Sequence, residues 1–175
     1  MLKPAQLYEG ELQAKWMNLW YNPEYMYCVS TPGYNRLEIG DGNVGDHDLV
    51  SVDDEGNILG FISYSIVWAT KLVGDIQIVS FDKGNLMFIE DLYQAIYNCF
   101  KVYNFNKIEW SCYADNPAIR GYRKFIKRCG GVECGHFRKC SILQDGKLHD
   151  KIYFEILAEE FKPLERMGRK YESLH

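Results

Sequence analysis

The stretch Asp115-Asn116-Pro117-Ala118-Ile119-Arg120-Gly121-Tyr122-Arg123-Lys124, running on to Cys129-Gly130-Gly131, holds the densest set of side chains able to do chemistry. Arg120, Arg123, Lys124, Lys127 and Arg128 gather positive charge on one short segment, which suits a phosphate-bearing ligand. Ile119, Tyr122, Ile126 and Cys129 recur at helical spacing between those cations, so the same pattern also describes a plain amphipathic helix with a wet face. Asn116 can accept a backbone N–H orphaned by a first turn, Pro117 fits that turn, and Gly130 closes the helix.

Two other groups invite a chemical reading. Cys129, Cys134, His136 and Cys140 offer thiolate and imidazole ligands, but their spacing matches no common zinc pattern and no metal is expected. All six cysteines lack a Cys-x-x-Cys signature and read as reduced thiols that behave as small hydrophobes. Asp75, Glu109 and His136 lie in strand-like runs, where each could take a proton from a reacting group or stand as a solvated or paired strand residue.

The elements that must position these groups follow from periodicity. Leu7 to Trp20 reads as a helix with Leu12, Trp16, Leu19 and Trp20 inward, ended by Asn22-Pro23. An aromatic, turn-rich segment runs to about Gly45. Asp48 to Asp53 and Ile58 to Trp68 are strands joined by a hairpin at Asp54-Glu55-Gly56-Asn57, and Asp75 to Phe81 is a third. A helix over 88–103 turns Ile89, Leu92, Ile96, Phe100 and Tyr103 to one side. The strand Lys107 to Ala114 feeds the Asn116 helix, and Val132 to Leu143 with Lys151 to Leu157 form a closing hairpin around Gln144-Asp145-Gly146-Lys147. A charged tail from Glu159 to His175 reads as helical and frayed.

At 175 residues with 47% hydrophobic content, the chain suits one domain with a proper core. A net charge of −4 and a pI near 5.6 leave no global field for nucleic acid. No apolar run approaches the roughly 20 residues needed to span a bilayer, and the N-terminus lacks a signal-peptide pattern, so the chain reads as cytoplasmic. If strand 75–81 and strand 107–114 are parallel, the helix between them makes a right-handed crossover inside an otherwise antiparallel sheet. The expected class is α/β or α+β, a central mixed, mostly antiparallel sheet of about six or seven strands flanked by helices.

In order and residues the chain resembles the GNAT superfamily of acyl-CoA-dependent N-acyltransferases. The likeness is carried by Asn116-Pro117-Ala118 through Gly130-Gly131, Val132 to Lys139, Asp145-Gly146-Lys147 with Asp150, and Ile152-Tyr153-Phe154-Glu155-Ile156-Leu157. It is nearest the branch that acetylates ribosomal-protein N-termini, polyamines and antibiotics. The resemblance implies a single domain over 1–175, with a helix and loop near the acceptor site in 1–47, a core in 48–160 and a tail in 161–175.

The resemblance further implies that the pantetheine arm of acetyl-CoA lies between two splayed strands, 75–81 and 107–114, with the diphosphate on the following helix start. Glycines and unsatisfied N–H groups there favour phosphate. The matching positions are Lys83, Gly84, Asn85, Leu86, Met87 and Phe88; Lys83 keeps the cation and Gly84 the flexibility, while Leu86 and Phe88 stand where the family has small residues. Asn116, Arg120, Arg123 and Lys124 are expected to contact the cofactor as well. A backbone N–H near Ile78 or Val79 would stabilise the oxyanion, Tyr122 would protonate the departing thiolate, and Asp75 or Glu109 would serve as base. Tyr25, Tyr27, Tyr34 and Trp68 could line the acceptor pocket. Expected partners are an acyl-CoA and a small-molecule or peptide amine, with no membrane, no nucleic acid, and a homodimer left open. The competing reading, resting on Leu86 and Phe88, is a non-catalytic binding or regulatory module on the same fold.

Overall fold

The computed structural model describes residues 1–28, 36–40, 42 and 44–164. One sheet runs in the order β1 (Leu2–Pro4), β2 (Asp46–Val52), β3 (Ile58–Val67), β4 (Leu72–Ser80), β5 (Lys107–Tyr113), β7 (Leu148–Leu157), β6 (Val132–Ile142). Among the described residues only β4 and β5 pair in parallel. Among the described residues three helices join it, α1 (Glu9–Trp20), α2 (Leu86–Lys101) and α3 (Ile119–Cys129), with short 3-10 turns at Ala5–Tyr8 and Pro23–Tyr25. The mixed, mostly antiparallel architecture is the expected one. β1 is an addition, too short at three residues to show an alternating pattern.

The sheet separates two cores. On one face α1 places Leu12, Trp16 and Leu19 over Val50, Val52, Phe61 and Val79. On the other, α2 and α3 cover Ile62, Ile66, Ile108, Trp110 and Phe154. Phe61 and Ile62 are neighbours buried on opposite faces, as the two-residue period of a central strand requires.

Three expectations need correction. The buried side of α2 carries Phe88, Tyr93, Ala95, Cys99 and Phe100, with Leu92 and Ile96 partly buried. Ile89, expected inward, is about half exposed because the ring of Phe88 enters the core against Gly60 and rotates the stripe, and Tyr103, also about half exposed, lies past the end of α2 at Lys101. α3 begins at Ile119, not at Pro117: Asn116 Oδ1 accepts the Ala118 N–H at 2.9 Å, closing a separate turn ahead of the helix.

The tail is the third. Residues 161–164 are not helical. Phe161 stacks on Phe100 at 4.6 Å, the Lys162 N–H reaches the Cys129 carbonyl at 2.7 Å, and the Leu164 N–H reaches the Tyr93 hydroxyl at 2.6 Å. The chain can pass there because Gly130, at φ 91°, ends α3 directly against the Glu160 carbonyl, where any Cβ would collide. The rest of the predicted tail helix, 165–175, lies outside the described residues, as does Tyr34.

Candidate active site

β4 and β5 start as partners and then part. Leu72 pairs with Lys107 and Val73 with Ile108, and no pairing follows. The cause is on the far side of β4, where the register with β3 shifts between Ser63 and Ser65, so that Asp75 and Ile76 together face Tyr64. Asp75 takes φ 51°, a left-handed conformation that an Asp tolerates better than most residues. β5 meanwhile stays laddered to β7 along its whole length, from Lys107 opposite Leu157 to Tyr113 opposite Lys151. One strand is bent away and the other is held straight.

The Phe81 N–H donates to the Leu59 carbonyl at 2.9 Å. Antiparallel alternation then turns the main-chain groups of Val79 and Gln77 toward β3 and those of Ile78 and Ser80 toward the opening. Of the two residues expected near an oxyanion, Ile78 therefore presents its N–H to the fork, while Val79 is committed to the sheet and its side chain is fully buried.

The fork holds a cavity of about 330 Å³ lined by strands on both sides, by Tyr27 and Cys28, and by Asn116 and Tyr122 from the α3 end. Tyr122 packs between Trp110 and Phe154, with ring centroids at 6.1 and 6.0 Å. Burial, with smaller contributions from Cys112 and Cys28, pushes its phenol well above the ordinary tyrosine range, so it keeps its proton at neutral pH. The Cys28 thiol is pushed up to about 11 and the Cys112 thiol to about 12, both chiefly by burial. Neither is a thiolate at neutral pH, and neither is suited to nucleophilic attack.

The wall on the α1 face rests on a histidine that sequence reasoning passed over. His149, 6% exposed, has Nδ1 2.7 Å from Asp115 Oδ2 and Nε2 3.0 Å from Asp145 Oδ1. Hydrogen bonding to Asp145, and then the Asp115 carboxylate, raises its pKa against the desolvation that lowers it, which favours an imidazolium donating from both nitrogens. Its ring stands edge-on to Tyr27 and Tyr113, at 6.2 and 6.1 Å. The signal was available in the four-residue spacing from Asp145 to His149 across a hairpin turn, but the partner Asp115 is 34 residues away in sequence.

Beyond the fork, Asn85 caps α2 by accepting the Phe88 N–H at 3.1 Å, and the Ile89 N–H reaches the Asn85 carbonyl. The first-turn N–H groups of Leu86 and Met87 are left without a helical acceptor. Gly84 precedes them at φ 81°. Lys83 makes a 2.6 Å ion pair with Glu24 and lies 5.2 Å from the centre of the Tyr25 ring. Phe88 is buried in the core, and Leu86, 75% exposed, points out.

No family model and no curated sequence matches the chain. Solved structures do. It is similar to a spermidine N-acetyltransferase from Vibrio cholerae in complex with CoA and spermine, at TM-score 0.69 and 21% identity over 91% of this chain and 96% of that one. It is also similar to the spermidine/spermine N-acetyltransferase SpeG of the same organism in complex with manganese ions, at TM-score 0.59 and 20% identity over 73% and 71%. The chain has the GNAT fold.

On this GNAT fold the predicted site residues divide. Asp75, Ile78, Asn116 and Tyr122 line the cavity together. Lys83, Gly84, Asn85, Leu86 and Met87 form the loop and helix start beyond it, with Phe88 turned inward. Glu109 lies outside the cavity wall, paired at 3.1 Å with Lys107, which also holds Glu155 at 2.6 Å. His136 is engaged by Asp150 at 2.8 Å. Arg120, Arg123 and Lys124 are exposed on the outer side of α3, and Arg123 is occupied by both Glu133 oxygens at 2.6 and 3.1 Å. Among the aromatic candidates Tyr27 lines the cavity, Tyr25 packs on Lys83, and the Trp68 Nε1–H is bonded to the Val44 carbonyl. Among the described residues no three His, Cys, Asp or Glu side chains gather as metal ligands.

Proposed function

We propose that the chain is an acyl-CoA-dependent N-acyltransferase that moves an acetyl group to a primary amine by direct attack. The observation that carries this reading is the fork itself: an unpaired β4 edge beside a cavity that ends at a protonated tyrosine. The Ile78 and Ser80 main-chain groups suit the amides of a pantetheine arm, which would run as the missing strand. The Leu86 and Met87 N–H groups, at the positive end of α2, suit a diphosphate, with Lys83 as its cation. The likeness to a structure that holds CoA and spermine supports both an acyl-CoA and an amine acceptor.

In the transfer, the neutral amine nitrogen attacks the thioester carbonyl, and the Ile78 N–H would stabilise the oxyanion. As the new C–N bond forms, the amine gives up a proton to Asp75, directly or through water. When the C–S bond breaks, Tyr122 supplies a proton to the thiolate. Glu109, held by Lys107, has no part in this scheme. Work on acetyl-CoA fits the cytoplasm, where free cysteines such as those found here persist.

The competing reading is a binding module that kept the fold, favoured by the exposed Leu86 side chain and by the engagement of Lys83 with Glu24. Calorimetric titration of acetyl-CoA and desulfo-CoA into wild type and Lys83→Ala separates the two. Micromolar binding weakened by the substitution supports the transferase; no heat at millimolar ligand supports the module.

A further inference from the structure

The cavity crosses the sheet, and its two ends differ in chemistry. Ile76, Ile78, Cys112 and Tyr122 belong to the face that packs against α2 and α3. Gln77, Ser111, Tyr113 and Lys151 belong to the other, where Gln77 Nε2 donates to the Cys28 carbonyl and Tyr113 meets the Tyr27 ring at 6.0 Å. With Tyr122 at the first end, the thioester sulfur belongs there and the acceptor enters from the second.

Among the described residues two charged side chains line the cavity, Asp75 and Lys151. Neither forms an ion pair among the described residues. Lys151 is half-buried, and its Nζ is held 5.0 Å from the centre of the Tyr113 ring, a ring braced by Tyr27 and His149. It is therefore a positioned cation at the acceptor end, not a loose surface lysine. A fixed positive charge there opposes any acceptor that brings a second ammonium group, and favours one that brings a negative group.

We propose that the acceptor is a small amine carrying its own anionic group, with its nitrogen beside Asp75 and its anion on Lys151. This rests on the transferase reading and narrows its substrate class away from polyamines. Both a carboxylate and a phosphate satisfy Lys151, and the test distinguishes them.

Thiol release from acetyl-CoA is followed with glycylglycine against glycylglycinamide, with phosphoethanolamine against ethanolamine, and with spermidine. The expected result is a kcat/KM higher by about ten-fold or more for the anionic member of at least one pair. The responding pair identifies carboxylate or phosphate. Lys151→Met should bring that ratio close to one, and Lys151→Arg, which keeps the cation and guards against a folding defect, should keep most of it. Spermidine as the best acceptor, equal rates within both pairs, or a ratio indifferent to Lys151→Met overturns the inference while the transferase reading stands. Failure of acetyl-CoA to bind in a parallel titration removes both together.

Discussion

The ring of Phe88 occupies the space that a side chain on Gly60 would fill, so the first turn of α2 is seated directly on the backbone of β3. This contact sets the rotation of α2, and with it the direction in which the Leu86 and Met87 N–H groups point. Gly60→Ala should destabilise the fold by about 1–3 kcal/mol through overpacking. Phe88→Leu should relieve part of that cost in the double variant, giving a coupling visible in denaturant titrations. Strict additivity would show that the two positions do not share space.

Tyr122→Phe removes the hydroxyl and keeps the ring that packs on Trp110 and Phe154. Turnover should fall by about 100-fold, in the range ordinary for a lost general acid, with acetyl-CoA affinity nearly unchanged. Steady-state kinetics beside calorimetry reads both quantities. An undiminished kcat takes Tyr122 out of the acid role.

Glu24 and a ligand diphosphate would compete for Lys83. Glu24→Gln should therefore tighten CoA binding, by no more than about five-fold because the pair is exposed and screened. The gain should shrink at high salt. Weaker binding in this variant would instead make Glu24 part of the loop's ligand-ready shape.

His149 makes a signed prediction about pH. Its folded-state pKa is raised above the ordinary 6.5 by Asp145 and Asp115, so its contribution to stability is complete below 6.5 and is lost as pH rises through the folded value. The difference in denaturation midpoint between wild type and His149→Gln should be largest near about pH 6 and shrink toward about pH 9. A constant difference would mean that shape, not charge, holds the Asp115–Asp145 bridge.

Periodicity made most of the fold legible. The run from Lys107 alternates as a strand does, the run from Ile58 opens on the continuous apolar stretch of a strand covered on both faces, and Asn85 stands at a helix start as an Asn should. A helix filling the link between β4 and β5 left a parallel pair open, and the two strands do run parallel. Less local features were hidden. The outward bend of β4 depends on an extra residue opposite Tyr64, and nothing in the local sequence marks Asp75 as left-handed. The buried stripe of α2 depends on an absent side chain at Gly60. Asn116 was expected to cap the helix and instead closes a turn ahead of it, a difference that depends on main-chain geometry at Ala118. The His149 bridge and the seat of Lys151 on the Tyr113 ring depend on contacts between distant segments, and composition is blind to those.

The parting of β4 from β5 leaves the molecule with a seam. Main-chain pairing between β1–β4 and β5–β7 rests on Leu72–Lys107 and Val73–Ile108, so the two halves are stitched at one end and gape at the other. A molecule lying in the gap would complete the stitching, and its concentration would govern how firmly the halves hold as RT ln(1 + [L]/Kd). Melting temperature would then report occupancy, and the emptied protein would come undone along this line first.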